Sequence, residues 1–457
     1  MEEKRLPGLL VNSYGFANFT FILMMYLPLY YYAFFLTDVA FITAAHMGII
    51  MAVTHFVDLV SVPISGSIIQ RTQMRWGQFR SWLLFIPVST CVFFTLTFTN
   101  LPLSYGLKTV YLALVYMIAH VSLNFAFNGH LGLISVLTTD VKERLRLSSR
   151  NAQFGMASQI LFSLSVVPLL LLLRKQTSDT LGFFYTVLIM SIVQIFGYWS
   201  LFFQTKDYDK YDPNKNLNPA NQLAIPEMIT QVFGNKPLLL LMTADWAAYL
   251  AMFSVSTFAP YYFTYVTGDE TWMTPYPLAL GIATFTSTVI GPVAANRIGK
   301  KNTYIFAGIY GVFGYTLLRF FGASSPYVYT AIICASALGV GLASPIRHAM
   351  YMDAAEYGYY KTGKDASAFI VSMFTLPVKI GIFLATTIAG FGLSLIGYEA
   401  GMKATEQFVS NLMNIICFIP VGCWMIAFII MTFYPLSDDR LAKYMEANKI
   451  KRAEAKA

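Results

Sequence analysis

The sequence predicts an all-α membrane protein of twelve transmembrane helices, arranged as two six-helix bundles. Three observations carry that prediction. First, 56% of its 457 residues are hydrophobic and 12% are charged, against about 25% charged in a soluble domain. Second, a window of about 20 residues, enough to cross a bilayer as a helix, finds twelve apolar stretches. They lie at 10–36, 43–69, 81–100, 108–137, 151–173, 181–204, 237–266, 275–296, 302–323, 327–352, 367–397 and 407–435. Third, a long polar connection at 205–236 leaves six stretches on either side. The stretches are long and do not alternate apolar with polar residues, which reads as helix and excludes barrel strands.

Taken in order, the opening "MEEKRLPG" runs into span one with no small-residue cleavage site, so no cleavable signal is expected. Span one closes on "PLYYYAFFLTD" (28–38), and span two carries Asp58 in "HFVDLVSVPISG". Span four holds His120 and His130, which read as packing or pore residues before proton carriers. The connection "TKDYDKYDPNKNLNPANQLAIPEMITQVFGNK" separates an N-terminal bundle (1–204) from a C-terminal one (237–436), followed by a tail at 437–457. Span seven closes on "PYYFTYVTGD" (260–269), an echo of the end of span one. Two parallel six-helix halves are the architecture of the major facilitator superfamily, whose substrates sit near the midplane between the halves.

Lysine and arginine concentrate in the N-terminus, the even-numbered connections and the tail, whereas the odd connections hold Lys108, Arg174, Lys175, Arg319 and Lys403. That bias predicts cytoplasmic N- and C-termini, and it explains the net charge of +8 without nucleic acid. The four cysteines stand singly in apolar runs and show no metal or redox spacing. There is no phosphate-binding GxxxxGK[ST], no His/Glu metal constellation and no nucleophile elbow. An enzyme is not expected, nor is a cofactor or metal; a transporter working as a monomer among membrane lipids is.

Ionisable groups at membrane depth carry the functional argument. Lys379 lies in the middle of "MFTLPVKIGIFLATT" (373–387), where an ammonium costs about 2.5–3.5 kcal/mol on insertion scales. Asp58 belongs to the other half, and attraction between the two would bridge a central cavity and act as a switch. Thr375, four residues before Lys379, shares its helix face. Arg347 adds a second cation in span ten, which serves either a substrate anion or an internal salt bridge. Asp245, early in span seven, serves either substrate or a structural pair.

Four ordered motifs resemble those of the glycoside–pentoside–hexuronide:cation symporters, the melibiose-permease relatives. In "HFVDLVSVPISGSIIQRTQMRWGQFRSWLLF" (55–85), Asp58, Pro63, Gly66, Arg71, Thr72, Arg75, Gly77, Arg80 and Trp82 match the family's helix-two signature. "TTDVKERLRLSSR" (138–150) resembles its motif between helices four and five, and "MDAAEYGYYKTGK" (352–364) its motif after helix ten. "LPVKIG" (376–381) matches the helix-eleven lysine. The resemblance implies alternating access by a secondary transporter in a bacterial inner membrane, importing a sugar or glycoside. It makes Asp58 the cation-coupling residue, and the cytoplasmic loop residues Arg75, Arg80, Asp140, Arg144, Arg150, Asp353, Glu356 and Lys361 the inner gate.

The departures shape the expectation further. Val62 and Asn18 stand where family members carry carboxylates, Gln70 replaces an aspartate, and Tyr359 replaces a glutamate. A hard cation wants several oxygen ligands, so coupling to H⁺ is expected over Na⁺. Two deep cations against few carboxylates point to an anionic cargo, such as a uronide or a sulfonated sugar, held by an arginine fork. The expected substrate site is Lys379, Arg347, Thr375, Asn18, Tyr14, Asn124, Asn128, Asp245 and Trp246. Two alternatives stay open: a transporter of lysolipid-like amphiphiles from the same superfamily, and a membrane sensor that binds without transport.

Overall fold

A computed structural model describes residues 5–138, 140–212, 232–363, 370 and 373–454. Twelve helices are long and apolar enough to cross a membrane. They are α1 (Gly8–Val39), α2 (Ala44–Arg71), α3 (Arg80–Thr97), α4 (Tyr105–Leu137), α5 (Arg146–Gln176) and α6 (Asp179–Gln204). After the connection come α7 (Lys236–Thr267), α8 (Glu270–Ile298), α9 (Lys300–Phe321), α10 (Pro326–Thr362), α11 (Thr375–Leu395) and α12 (Glu406–Thr432). A polar helix, α13 (Asp438–Glu454), follows and packs on α10. Among the described residues there is no β-strand.

Local chemistry sets where the helices begin. The Thr43 hydroxyl accepts from the His46 amide at the start of α2, Ser178 from Leu181 at α6, and Thr405 from Phe408 at α12. Asn235 caps α7 by accepting from the Leu238 amide at 3.1 Å, with Pro237 in the first turn. These side chains satisfy amides that the first helical turn leaves unpaired. Two ends differ from the hydropathy reading. Helix α10 runs on to Thr362, because "DAAEYGYYKT" continues the helix in polar residues that a hydropathy window does not register. Helix α11 begins at Thr375, and part of its expected start (364–369 and 371–372) lies outside the described residues. The same holds for 213–231 of the central connection.

Within α1–α6, α1 packs on α5 and α6, α2 on α4, and α3 on α4 and α6. Within α7–α12, α7 packs on α11 and α12, α9 on α10 and α12, and α8 on α10. Three crossings join the sets: α2 with α11, α1 with α7, and α5 with α8. The two tyrosine-rich strings that echo each other do so structurally. Each closes its helix with a π-helical turn, Phe35–Val39 in α1 and Tyr262–Thr267 in α7. Each is followed or ended by an aspartate in a hydrogen-bonded turn, Asp38 and Asp269. Exposed Asp269 accepts from the Thr271 amide and hydroxyl, which hold its carboxyl below the usual range.

The end of the bundle opposite the termini is closed. At the α2–α11 crossing, Gly48 and Gly390 meet backbone to backbone. A Cβ on Gly390 would lie 2.5 Å from the Gly48 nitrogen and 3.0 Å from the Ala44 carbonyl. Beyond them, the Asp38 carboxylate accepts from the hydroxyls of Tyr265 and Tyr398, and Thr37 pairs with Tyr261 at 2.9 Å. Arg174 of α5 reaches Glu270 of α8 at 2.5 Å and Asp179 at 2.8 Å. A cleft of about 500 Å³ opens above this layer, lined by Asp38, Arg174, Asp179, Tyr265 and Glu270 among others. Hydrogen bonds to a charged group contribute about 1.5–3 kcal/mol each. Asp38→Asn is therefore expected to shift the protein toward the form open at this end. Faster labelling of a cysteine placed at Ala44 would register the shift; labelling at the wild-type rate would contradict it.

Candidate functional site

Midway along the bundle, α11 presents Lys379 to α2 and α4. Its ammonium donates to Asp58 Oδ2 at 2.7 Å and to Asn124 Oδ1 at 3.0 Å. Asn124 in turn donates to Asp58 Oδ1 at 2.8 Å and lies 2.6 Å from the Ser61 hydroxyl. The helical repeat explains why these groups converge. Asn124 and Asn128 stand one turn apart on α4 and both address α2, Asn128 reaching the Val62 carbonyl at 3.2 Å and Ser65 at 2.8 Å. The Val62 side chain carries no polar atom, so at this level α2 offers Asn128 a backbone carbonyl and the Ser65 hydroxyl.

The pair is uneven in burial. The Asp58 side chain is 8% exposed and that of Lys379 is 24%. A charge reachable to that degree in the middle of an apolar bundle means that open space adjoins the lysine. One turn toward the terminal end, Thr375 is exposed, while the opposite end is closed as described.

Two histidines complete the cluster. His55, one turn before Asp58, and His120, one turn before Asn124, set their rings edge to face at 5.1 Å. His120 Nδ1 lies 3.7 Å from Asp58 Oδ1. The ligand atoms of His55, Asp58 and His120 lie within 4.8 Å of one another. That donor set suits a transition metal in isolation, but the Lys379 ammonium already neutralises the same carboxylate. His55 belongs to no expected site, although its spacing of three from Asp58 places it on the same helix face.

Arg347 lies elsewhere. Its Nε sits 2.9 Å from Asp245 Oδ1, and its guanidinium covers the rings of Tyr249 and Tyr304 at 4.7 and 5.6 Å. Tyr304 also donates to Asp245, at 2.6 Å. All four belong to α7, α9 and α10, and both charges are buried. Of the two roles open to Arg347 and Asp245, the geometry displays the internal salt bridge, not a cation shared with Lys379. The cause is electrostatic: a fully buried carboxylate needs a counter-charge, and Arg347 is the cation within reach. Removing one member leaves the other uncompensated. Arg347→Ala is expected to cost about 3–5 kcal/mol, read as a lower melting temperature in detergent; an unchanged melting temperature would contradict the assignment.

The remaining expected substrate residues fall into two groups. Tyr14 and Asn18 join a buried polar cluster inside the first six helices, where Tyr14 stacks on His130 at 4.1 Å. Asn18 donates to the Asn151 carbonyl at 3.0 Å, and His130 faces Asn151 Oδ1 at 3.3 Å. Trp246 is half-buried on α7, and Thr375 is exposed on α11.

Several contacts of the expected gate residues stay within one half. Arg80 donates to the Phe202 carbonyl at 2.6 Å and lies over that ring, Arg75 lies 5.9 Å from the Trp76 ring, and Arg144 donates to the Thr138 carbonyl. Arg150 reaches Gln153 at 3.2 Å, and the Asp140 amide donates to Thr138. In the other half Asp353 pairs with Lys300, Glu356 accepts from Asn448 of α13 at 2.8 Å, and Lys361 donates to the Gly234 carbonyl. Asp209, outside the expected set, accepts from the amides of Gln78, Phe79 and Arg80 and so fixes the loop that carries the helix-two motif.

The sequence profile described as MFS/sugar transport protein matches residues 13–438. The chain belongs to that family. It is 26% identical over 428 residues to a glucuronide carrier protein homolog of Escherichia coli (strain K12), covering 93% of this chain and 90% of that one. It is 27% identical over 425 residues to an isoprimeverose transporter of Lactiplantibacillus pentosus, covering 92% and 87%. In fold it is similar to the nucleoside transporter NupG, with a TM-score of 0.65 at 12% identity, covering 94% of this chain and 100% of that one. The family member is thus a multi-pass protein of a bacterial inner membrane with the major facilitator fold, a transporter and not an enzyme.

Proposed function

We propose that the protein imports a sugar or glycoside carrying a negative charge, coupled to protons, by rocking its two halves about the Asp58–Lys379 pair. The observation that carries this reading is that pair itself. It is an ion pair between halves, at mid-depth, with its lysine open to the cavity. A substrate carboxylate or sulfonate would compete with Asp58 for Lys379, releasing α2 from α11, so occupancy and closure become linked. Arg347 is engaged with Asp245, so Lys379 is the cation available to the cargo and the anion preference rests on it. The relative named for glucuronide supports an acidic sugar, and the one named for isoprimeverose keeps neutral glycosides within the family's range. Replacement of family carboxylates by Val62 and Asn18 leaves few oxygens for Na⁺, which favours H⁺. The positive-inside bias supports cytoplasmic termini, and with the opposite end closed this reading makes the conformation open inward.

Purified protein in proteoliposomes tests the reading with labelled methyl β-glucuronide, methyl β-glucoside and a lysolipid. The expected result is saturable glucuronide uptake, accelerated by an inward proton gradient and indifferent to sodium. Lysolipid flux without sugar flux would replace this reading with the amphiphile one. Saturable binding with no flux would replace it with a sensor, and drive by sodium alone would overturn the coupling.

A further inference from the structure

Asp58 faces four nitrogen-bearing side chains, those of Lys379, Asn124, His55 and His120, but Lys379 alone reaches it from the opposite half. His120 stands on α4, which packs along α2, so it moves with Asp58. His55 and His120 are 4% and 6% exposed, and the Nε2 atom of each has no hydrogen-bond partner among the described residues. We propose that the imidazole of His120, flanked by His55, is the proton-binding site of the transport cycle and replaces Lys379 as counter-ion of Asp58 when the halves part. This rests on the proposed transport reading and assigns its proton.

The reason is the cost of an unpaired buried charge. When α11 withdraws from α2 at this depth, Asp58 keeps the Asn124 amide but loses its ammonium. A carboxylate left so in the interior is strongly unfavourable. Protonated His120, with Nδ1 already 3.7 Å from Oδ1, restores an ion pair without moving either helix. While the halves are joined, Asp58 itself is poorly arranged to accept a proton, because Lys379 and Asn124 donate to its two oxygens. Histidine is the side chain whose unperturbed charge change lies nearest neutral pH.

The groups that face His120 are few. Helix α2 supplies Asp58 and His55, α11 supplies Lys379 through Asp58, α3 supplies the Phe94 ring at 5.8 Å, and its own helix supplies Tyr116 at 4.4 Å. Of these, Asp58 is the anion. The step is a proton transfer alone. An N–H bond forms on the imidazole as an O–H bond of a hydronium ion breaks, the carboxylate stays ionised, and the proton returns to water on the other side once Lys379 re-pairs.

The test uses His120→Gln, His120→Arg and Asp58→Asn in proteoliposomes, reading methyl β-glucuronide accumulation under a pH gradient and sugar-for-sugar exchange at equal pH. His120→Gln is expected to exchange more slowly and to lose accumulation entirely. His120→Arg carries a fixed cation and is expected to exchange without pH dependence, which keeps the test valid if His120→Gln does not fold. Accumulation by either histidine variant at the wild-type level overturns the inference. If Asp58→Asn alone abolishes coupling, the proton resides on Asp58 and the inference falls while the transport reading stands. Absence of flux in the wild type would instead defeat the transport reading.

Discussion

Lys379→Met is expected to abolish uptake and to lower stability by about 3–5 kcal/mol, the cost of leaving a buried carboxylate without its counter-ion. Asp58 is 8% exposed in its side chain and has Asn124 as its remaining strong donor. A methionine fills the lysine's volume, so the loss is one of charge and not of packing. The same reasoning makes Asp58→Asn less damaging to stability, because the ammonium left behind is 24% exposed and reaches water. The asymmetry is itself a check. Thermal unfolding in detergent at alkaline pH, where imidazoles are neutral, should rank Lys379→Met well below Asp58→Asn, and equal losses there would mean that Asp58 has a counter-charge other than Lys379 and a protonated His120.

The second large effect belongs to Gly390. Helices α2 and α11 touch there through backbone, and a Cβ would meet the Gly48 nitrogen and the Ala44 carbonyl at 2.5 and 3.0 Å. Neither atom belongs to a flexible side chain, so the helices must separate. Small residues at such crossings are what lets two membrane helices approach closely. Gly390→Val is expected to prevent closure of the end opposite the termini and to hold the protein open there. Net uptake would be lost, while the melting temperature would change less than in Lys379→Met, because each half keeps its own packing. Spin labels on Phe41 and Lys403 should report a longer distance in the variant; an unchanged distance would show that the crossing tolerates the side chain.

The helices and their number were legible because a bilayer imposes a length and a polarity that any 20-residue window registers. The Asp58–Lys379 contact was legible for a related reason: two opposite charges, each too costly alone in apolar surroundings, need each other. The same cost applied to Asp245, but sequence alone gives no distance across a bundle. Nothing in it showed that α10 would bring Arg347 to that carboxylate and away from the cavity. The lock formed by Asp38, Tyr265 and Tyr398 was hidden in tyrosine-rich strings of the kind that line any membrane interface. His55 was visible beside Asp58 at helical spacing, yet its nearness to His120 depends on how α2 and α4 pack. Local pattern reached the elements and one pairing. The contacts between helices that carry no charge signature needed coordinates.

By this mechanism Asp58 and Lys379 work as one unit joining the halves. A double-mutant cycle on sugar exchange tests it most directly, using Asp58→Asn, Lys379→Met and the two together in proteoliposomes. Strong non-additivity is expected: the double variant, with neither charge left unpaired, should be more stable than Lys379→Met and exchange a neutral glycoside faster than it. Losses that simply add, with the double variant below the wild type by the sum of the two single effects, would contradict it.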